Sequence, residues 1–303
     1  MQSFTIKDIE NLTGIKAHTL RIWEQRYRFF TPKRKESLHR IYDNEDLKQL
    51  LRISFLYNSG WKISKIANLS SDEVQELVKN AEVGKENYRV FVNHLIEAAL
   101  DFNEYAFIEQ LNRIIETTGF EKSITEICYP FLLKIGHLWS TNNVIPAQEH
   151  FSSYIIQNRI IVETNKIVLQ KEVVPEIILM CPRGEFHELP LLFINYLLKK
   201  QGWGTIYMGT NVKIDEMEPI ISLPHIRYLY LHLITNFTGL DADDYFENLC
   251  KRLRNKMIIA SGEGVRKVQR NFNNLLLLKN DQQITEFIAR NWIGRENLLQ
   301  SSL

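Results

Sequence analysis

From residue 177 onward the sequence alternates five short apolar, β-branched runs with stretches of helical spacing, and few folds accept that pattern. The runs are 177–180, 204–208, 227–234, 256–260 and 275–278. Apolar residues at helical spacing follow from Leu191 and over 214–222, 241–255, 265–273 and 282–291. Each short run reads as a buried strand and each longer one as a helix. Alternating units of this kind predict a parallel, doubly wound sheet with helices on both faces. Ligands of such sheets bind at the loops that leave the carboxyl ends of the strands. The first of these loops, Cys181-Pro-Arg-Gly-Glu-Phe-His-Glu-Leu-Pro190, places Glu185 two residues before His187. A carboxylate there can orient the imidazole through one ring nitrogen while the other faces a ligand or metal. The fourth, Ser261-Gly-Glu-Gly-Val265, supplies Gly262 and Gly264, which let backbone approach a ligand closely.

The preceding segment, from Tyr88 to Leu169, carries helical periodicity alone. Four amphipathic stretches, marked by Val90, Phe91 and Leu95, by Phe107, Leu111 and Ile114, by Ile124, Ile127 and Phe131, and by Phe151, Ile155 and Ile160, predict a four-helix bundle. A break over 137–146 ends the third helix, and Pro146 opens the fourth. Trp139 at that break, with Glu149 and His150 in the next first turn, offers a flat apolar ring, a carboxylate and an imidazole that can cover a nucleoside-like group. The same residues also read as a core Trp and a favourable charge on a helix dipole. Residues 71–84 are polar, include Gly84, and read as a boundary or hinge.

The net charge of +1 conceals an uneven distribution. Residues 1–70 carry 13 Lys+Arg against 7 Asp+Glu, or +6, which leaves −5 for the remainder. A basic segment ahead of an acidic body predicts a polyanionic partner for that segment, with nucleic acid the first candidate. Thr5 caps a short helix that stops at Gly14, and a second helix, 16–26, turns Leu20 and Trp23 inward and Lys16, His18, Thr19 and Arg21 outward. That is a helix-turn-helix pattern. The basic stretch 31–42 then reads as a two-stranded wing whose Arg34, Lys35 and Arg40 touch phosphates. Asp43 or Asn44 caps a third helix, and Ser70 with Glu73 forms a capping box. The three cysteines are widely separated, which predicts buried thiols rather than disulfides or a zinc site. With no apolar run of membrane-spanning length and no signal peptide, the expected location is cytoplasmic, with no membrane partner.

Thr5-Ile-Lys-Asp-Ile-Glu, Gly14, His18-Thr-Leu-Arg-Ile-Trp-Glu24, Arg26-Tyr27 and Arg40-Ile-Tyr42 together resemble the winged-helix DNA-binding domain of the MerR family. The resemblance implies that Thr19, Arg21, Tyr27, Arg40 and Tyr42 contact a double-stranded operator. Gly184-Glu-Phe-His-Glu-Leu resembles the cobalamin-binding signature, and Trp139 with Glu149-His150 resembles the capping bundle of the same superfamily. The order matches the cobalamin-dependent MerR regulators, including the light-sensing branch. By that resemblance the chain is a multidomain α and α/β protein. A winged helix-turn-helix over 1–75 precedes a four-helix-bundle cap over 85–170 and a Rossmann-like, flavodoxin-like parallel sheet over 174–296. His187 would coordinate the cobalt of cobalamin, Glu185 would orient it, and Trp139, Glu149 and His150 would meet the upper ligand. Gly262 and Gly264 would pass the nucleotide tail.

The implied function is a non-enzymatic transcription regulator, a homodimer or homotetramer, whose assembly and DNA affinity depend on a corrinoid held between cap and sheet domain. Three positions differ from the pattern: Pro190 stands in place of a glycine, His232 in place of a small Ser or Thr, and Ser140 in place of the light sensors' His. They leave open a DNA-binding regulator whose body docks a protein or another small molecule. A corrinoid-dependent enzyme is the third alternative, and it gives the basic head no task.

Overall fold

A computed structural model describes residues 4–27, 33–34, 40–80, 88–140, 146–168, 173–235 and 241–289. The chain divides into two compact units, Met1–Ile156 and Gln157–Leu303.

The first unit opens with α1 (Ile6–Thr13), held by a reciprocal Thr5–Asp8 capping box and ended by Gly14 in the left-handed conformation. Helix α2 (Ala17–Tyr27) buries Leu20 and Trp23. Strands β1 (Lys33–Arg34) and β2 (Arg40–Ile41) pair antiparallel, as expected of a wing. Asp43 and Asp46 cap α3 (Asn44–Asn58), which is followed by the short α4 (Ile63–Ile66). The polar segment expected to be a boundary instead begins as a helix, α5 (Ser71–Asn80). Ser70 and Glu73 cap it, and Val74 and Val78 are buried, so a domain edge at residue 75 would cut a packed helix. Two buried valines four apart outweigh a polar composition. Gly84 and Lys35 lie outside the described residues.

The predicted bundle is present as α6 (Arg89–Leu100), α7 (Glu104–Thr118), a compound third helix and α10 (Pro146–Asn165). The third consists of α8 (Phe120–Lys122), a π-helical turn over Ser123–Cys128 and α9 (Tyr129–Ser140). Phe107 meets Phe131 and Phe151 edge-on in its core. Head and bundle pack directly on one another. Arg52 of α3 donates to both carboxylate oxygens of Glu97 on α6, Lys48 pairs with Asp101, and Lys134 Nζ of α9 donates to the Leu12 carbonyl.

The second unit holds the sheet. Its strands, β3 (Ile177–Met180), β4 (Thr205–Tyr207), β5 (Tyr228–His232), β6 (Met257–Ser261) and β7 (Leu275–Leu278), run parallel in the order β4-β3-β5-β6-β7. Alternate residues face opposite ways. Ile178, Met180, Leu229 and Leu231 pack with α12 (Ile214–Ile221) and α13 (Ala242–Arg252). Ile177, Leu179, Tyr230 and Ile259 pack with α11 (Leu189–Lys200) and α14 (Asp281–Ala289). One expectation fails here. The helix over 265–273 is only a 3-10 turn, Glu263–Lys267, because Asp243 accepts from the Gln269 and Arg270 amides and holds that segment out of a helix. Cys128, Cys181 and Cys250 are buried thiols, and among the described residues no helix is long and apolar enough to cross a membrane.

Candidate functional site

Chain direction across the sheet reverses between β3 and β5, and the loop after β3 occupies this switch point. Two hydrogen bonds tie the loop's start to the β4 side, Cys181 N to Gly209 O and Val212 N to Cys181 O. Gly184 N donates to Asn211 Oδ1 at 3.0 Å, while Asn211 N donates to Glu185 O. Glu185 is fully buried within this frame.

Each oxygen of Glu185 has its own set of donors. Oε1 accepts from the Phe186 and His187 amides, both at 3.0 Å, and from His187 Nδ1. Oε2 accepts from the Ile234 and Thr235 amides at 2.7 and 2.8 Å, with Thr235 Oγ1 at 3.2 Å. Burial alone would push this carboxyl up, but the His187 bond and the amides of Thr235, His187 and Ile234 outweigh it and hold the group at about 2. Glu185 is therefore an anion at neutral pH. A carboxylate on Nδ1 keeps the proton on that nitrogen and places the imidazole lone pair on Nε2. The His187 side chain is 52% exposed, so a buried, charged anchor carries a ring that reaches the surface. Imidazole nitrogen is an apt ligand for cobalt, and at this position the donor set fits the metal of a corrinoid.

The surroundings are more crowded. Pro190 lies in the first turn of α11, and Tyr207 Oη donates to Glu188 Oε1 at 3.0 Å. His232, at the end of β5, is buried, with Nδ1 2.9 Å from Ser261 Oγ and Nε2 without a hydrogen-bond partner among the described residues. Burial pushes its imidazole down to about 4. Tyr230 Oη also donates to Ser261 Oγ, at 2.8 Å. A Cβ at Gly262 would stand 2.2 Å from Leu233 O, and one at Gly264 would stand 3.1 Å from Leu233 Cβ. These glycines therefore admit the end of β5.

In the bundle, Glu149 and His150 fall in the first turn of α10 as expected, with His150 Nδ1 3.4 Å from Glu149 Oε2 and the imidazole largely exposed. Trp139 belongs to the last turn of α9, and its side chain lies outside the described residues.

On the basic head, His18 and Arg21 are exposed, and Thr19 and Tyr27 are half-buried. Lys16 is exposed but paired with Glu10 at 3.0 Å, and Arg40 is paired with Glu24. Arg34 is in the wing, with its side chain outside the described residues. Tyr42 corrects the sequence reading. Its backbone exchanges hydrogen bonds with Phe4, its side chain is fully buried, and its phenol is pushed up to about 12 by that burial. It has no surface to offer an operator. Sequence reasoning also missed the Ile234 and Thr235 amides, since backbone donors carry no residue-type signal.

Comparison with known proteins places these features. Residues 4–73 match the MerR HTH family regulatory protein family, and residues 92–162 match the B12 binding domain family, a span that falls on the helical bundle. The chain is 23% identical over 261 residues to the HTH-type transcriptional repressor CarH of Myxococcus xanthus, covering 84% of this chain and 85% of that protein. It is 27% identical over 209 residues to CarA of the same organism, covering 68% of each. The monomethylamine corrinoid protein of Methanosarcina barkeri shares the fold, with a TM-score of 0.50, 14% identity, and coverage of 64% of this chain and 94% of that one. The chain thus joins a MerR-type helix-turn-helix domain to a B12-binding domain and is homologous to the repressors CarH and CarA.

Proposed function

We propose that this protein is a DNA-binding transcription regulator that holds a corrinoid at the carboxyl end of β3, with His187 as the lower cobalt ligand. The observation that carries the reading is the ionised, fully buried Glu185, which accepts from His187 Nδ1 and so leaves Nε2 as the unprotonated nitrogen of a half-exposed ring. The corrinoid would supply a cobalt able to bind the His187 imidazole nitrogen and to carry an exchangeable ligand. On the bundle, Trp139, Glu149 and His150 are the residues assigned to that exchangeable ligand. Control of DNA binding follows from assembly: a single small head makes few phosphate contacts, whereas a homodimer or homotetramer multiplies heads and affinity. The corrinoid shifts assembly only through its differential affinity for the two states. His18 and Arg21, exposed on α2, would meet the operator, with the half-buried Thr19 and Tyr27 beside them.

The test is an absorbance spectrum of protein mixed with adenosylcobalamin in the dark and desalted, beside His187→Ala. Corrin colour retained by the wild type, with bands that change in the variant, is the expected outcome. Colourless wild-type protein, or identical bands in both, overturns the assignment. One specific feature favours a second reading, a cofactor-free body that docks another ligand. Leu233 occupies the space beside Gly262, and His232 is buried next to it. Full operator affinity without any response to corrinoid would favour that reading.

A further inference from the structure

Within the first unit a cleft of about 350 Å³ opens between the C-terminal turn of α1, helix α3 and the bundle helices α6 and α9. Among the described residues, none of those assigned to DNA or corrinoid lines it. Its deeper wall is apolar, with Leu12, Phe55 and Val92 all buried. Two cations also line it, Lys134 of α9 and Arg89 at the start of α6. Lys134 Nζ donates to the Leu12 carbonyl, and among the described residues neither cation forms an ion pair. Burial first, and the nearby Arg89 charge second, lower the Lys134 pKa, so the ammonium is desolvated beside a like charge. Glu126, on the rim, is exposed and accepts from Thr125 Oγ1. It belongs to the π-helical turn, an irregularity that often marks functional positions.

A concave, mostly apolar pocket with a few convergent polar groups is the usual form of a small-molecule site. Lys134, desolvated, and Arg89, exposed beside it, have no carboxylate partner among the described residues, and an anion relieves both charges. We propose that this cleft binds a small organic anion, its acid group held by Lys134 and Arg89 and its apolar body seated on Leu12, Phe55 and Val92. Because head and bundle both wall the cleft, the bound anion bridges them.

The probe is phenyl phosphate, titrated by calorimetry into the full chain in chloride buffer without DNA or corrinoid. Saturable binding of one molecule per chain is expected, tighter than for inorganic phosphate, which lacks the apolar body. Arg89→Gln and Lys134→Gln should each weaken it roughly tenfold or more, the loss expected for one charge-assisted hydrogen bond. Arg89 is exposed, so its variant tests the site without risk to the core. Arg21→Ala, on the DNA-binding face, should leave the affinity unchanged. The proposal is overturned by absence of saturation below about 10 mM. It is also overturned by equal affinity in the Arg89 variant and wild type, by loss in Arg21→Ala, or by inorganic phosphate binding as tightly as phenyl phosphate.

Discussion

Glu185 is the residue on which the candidate site turns, because it converts two loops into one charged platform. Its depression from the ordinary 4.5 to about 2 corresponds to about 3 kcal/mol at neutral pH, at about 1.4 kcal/mol per tenfold change in proton affinity. The unfolded chain binds the proton more tightly than the folded one, so this contribution is complete above pH 4.5 and is lost as pH falls toward 2. His232 acts in a higher window. Its folded imidazole titrates near 4 against 6.5 when unfolded, so stability is present above 6.5 and declines as pH falls to 4. Urea unfolding at a series of pH values should show both slopes. His232→Ser should shallow the upper one, to which the buried His94, also pushed down to about 4, still contributes, and Glu185→Gln should flatten the lower one while costing roughly 2–4 kcal/mol at pH 7, because its amide donors face the Ile234 and Thr235 N–H groups. An unchanged upper slope in His232→Ser would mean that the imidazole is not held neutral by burial. The Glu185–His187 pair was legible from its spacing of two. Its second oxygen was not, since those partners lie 49 and 50 residues downstream and are backbone amides.

At the scale of elements, the two informative glycines differ in what surrounds them. Gly14 has a φ of +75° with nothing within 4 Å of a Cβ, whereas Gly262 has a φ of +98° and Leu233 O stands 2.2 Å from its Cβ position. Gly14→Ala should therefore cost about 1 kcal/mol, the penalty of the left-handed backbone alone. Gly262→Ala should cost about 4 kcal/mol or more, because strand β5 must retreat to admit the methyl group. Thermal unfolding of the two variants measures the contrast, and equal losses would mean that the β5–β6 junction yields easily. Regular elements were largely legible, with all five strands found within about two residues of their sequence limits. The failures have tertiary causes. The helix expected after Val265 gives way to amides captured by Asp243, and Tyr42 is drawn inward because its strand pairs with Phe4. No local pattern reports a partner that distant in sequence.

At the scale of the whole molecule, the winged head and most of the helical bundle fall in one compact unit, Met1–Ile156. Ion pairs join the winged head to the bundle, and charged residues in sequence look like solvated faces until their partners are known. Arg52 and Glu97 are the central pair, with side chains only 15% and 16% exposed. Burial pushes the Glu97 carboxyl up, and the Arg52 hydrogen bonds pull it back. Removing one partner of such a pair strands the other charge, at a cost of about 3 kcal/mol. Arg52→Ala should therefore loosen head and bundle together. Hydrogen exchange should show lost protection in α1, α3, α6 and α9, whose amides would then open as one cooperative body. The sheet should be untouched, with β3, β5 and β6 exchanging at wild-type rates. Loss confined to α3 would mean that the head is not cooperative with the bundle, and equal loss in β5 would mean that the two units unfold as one.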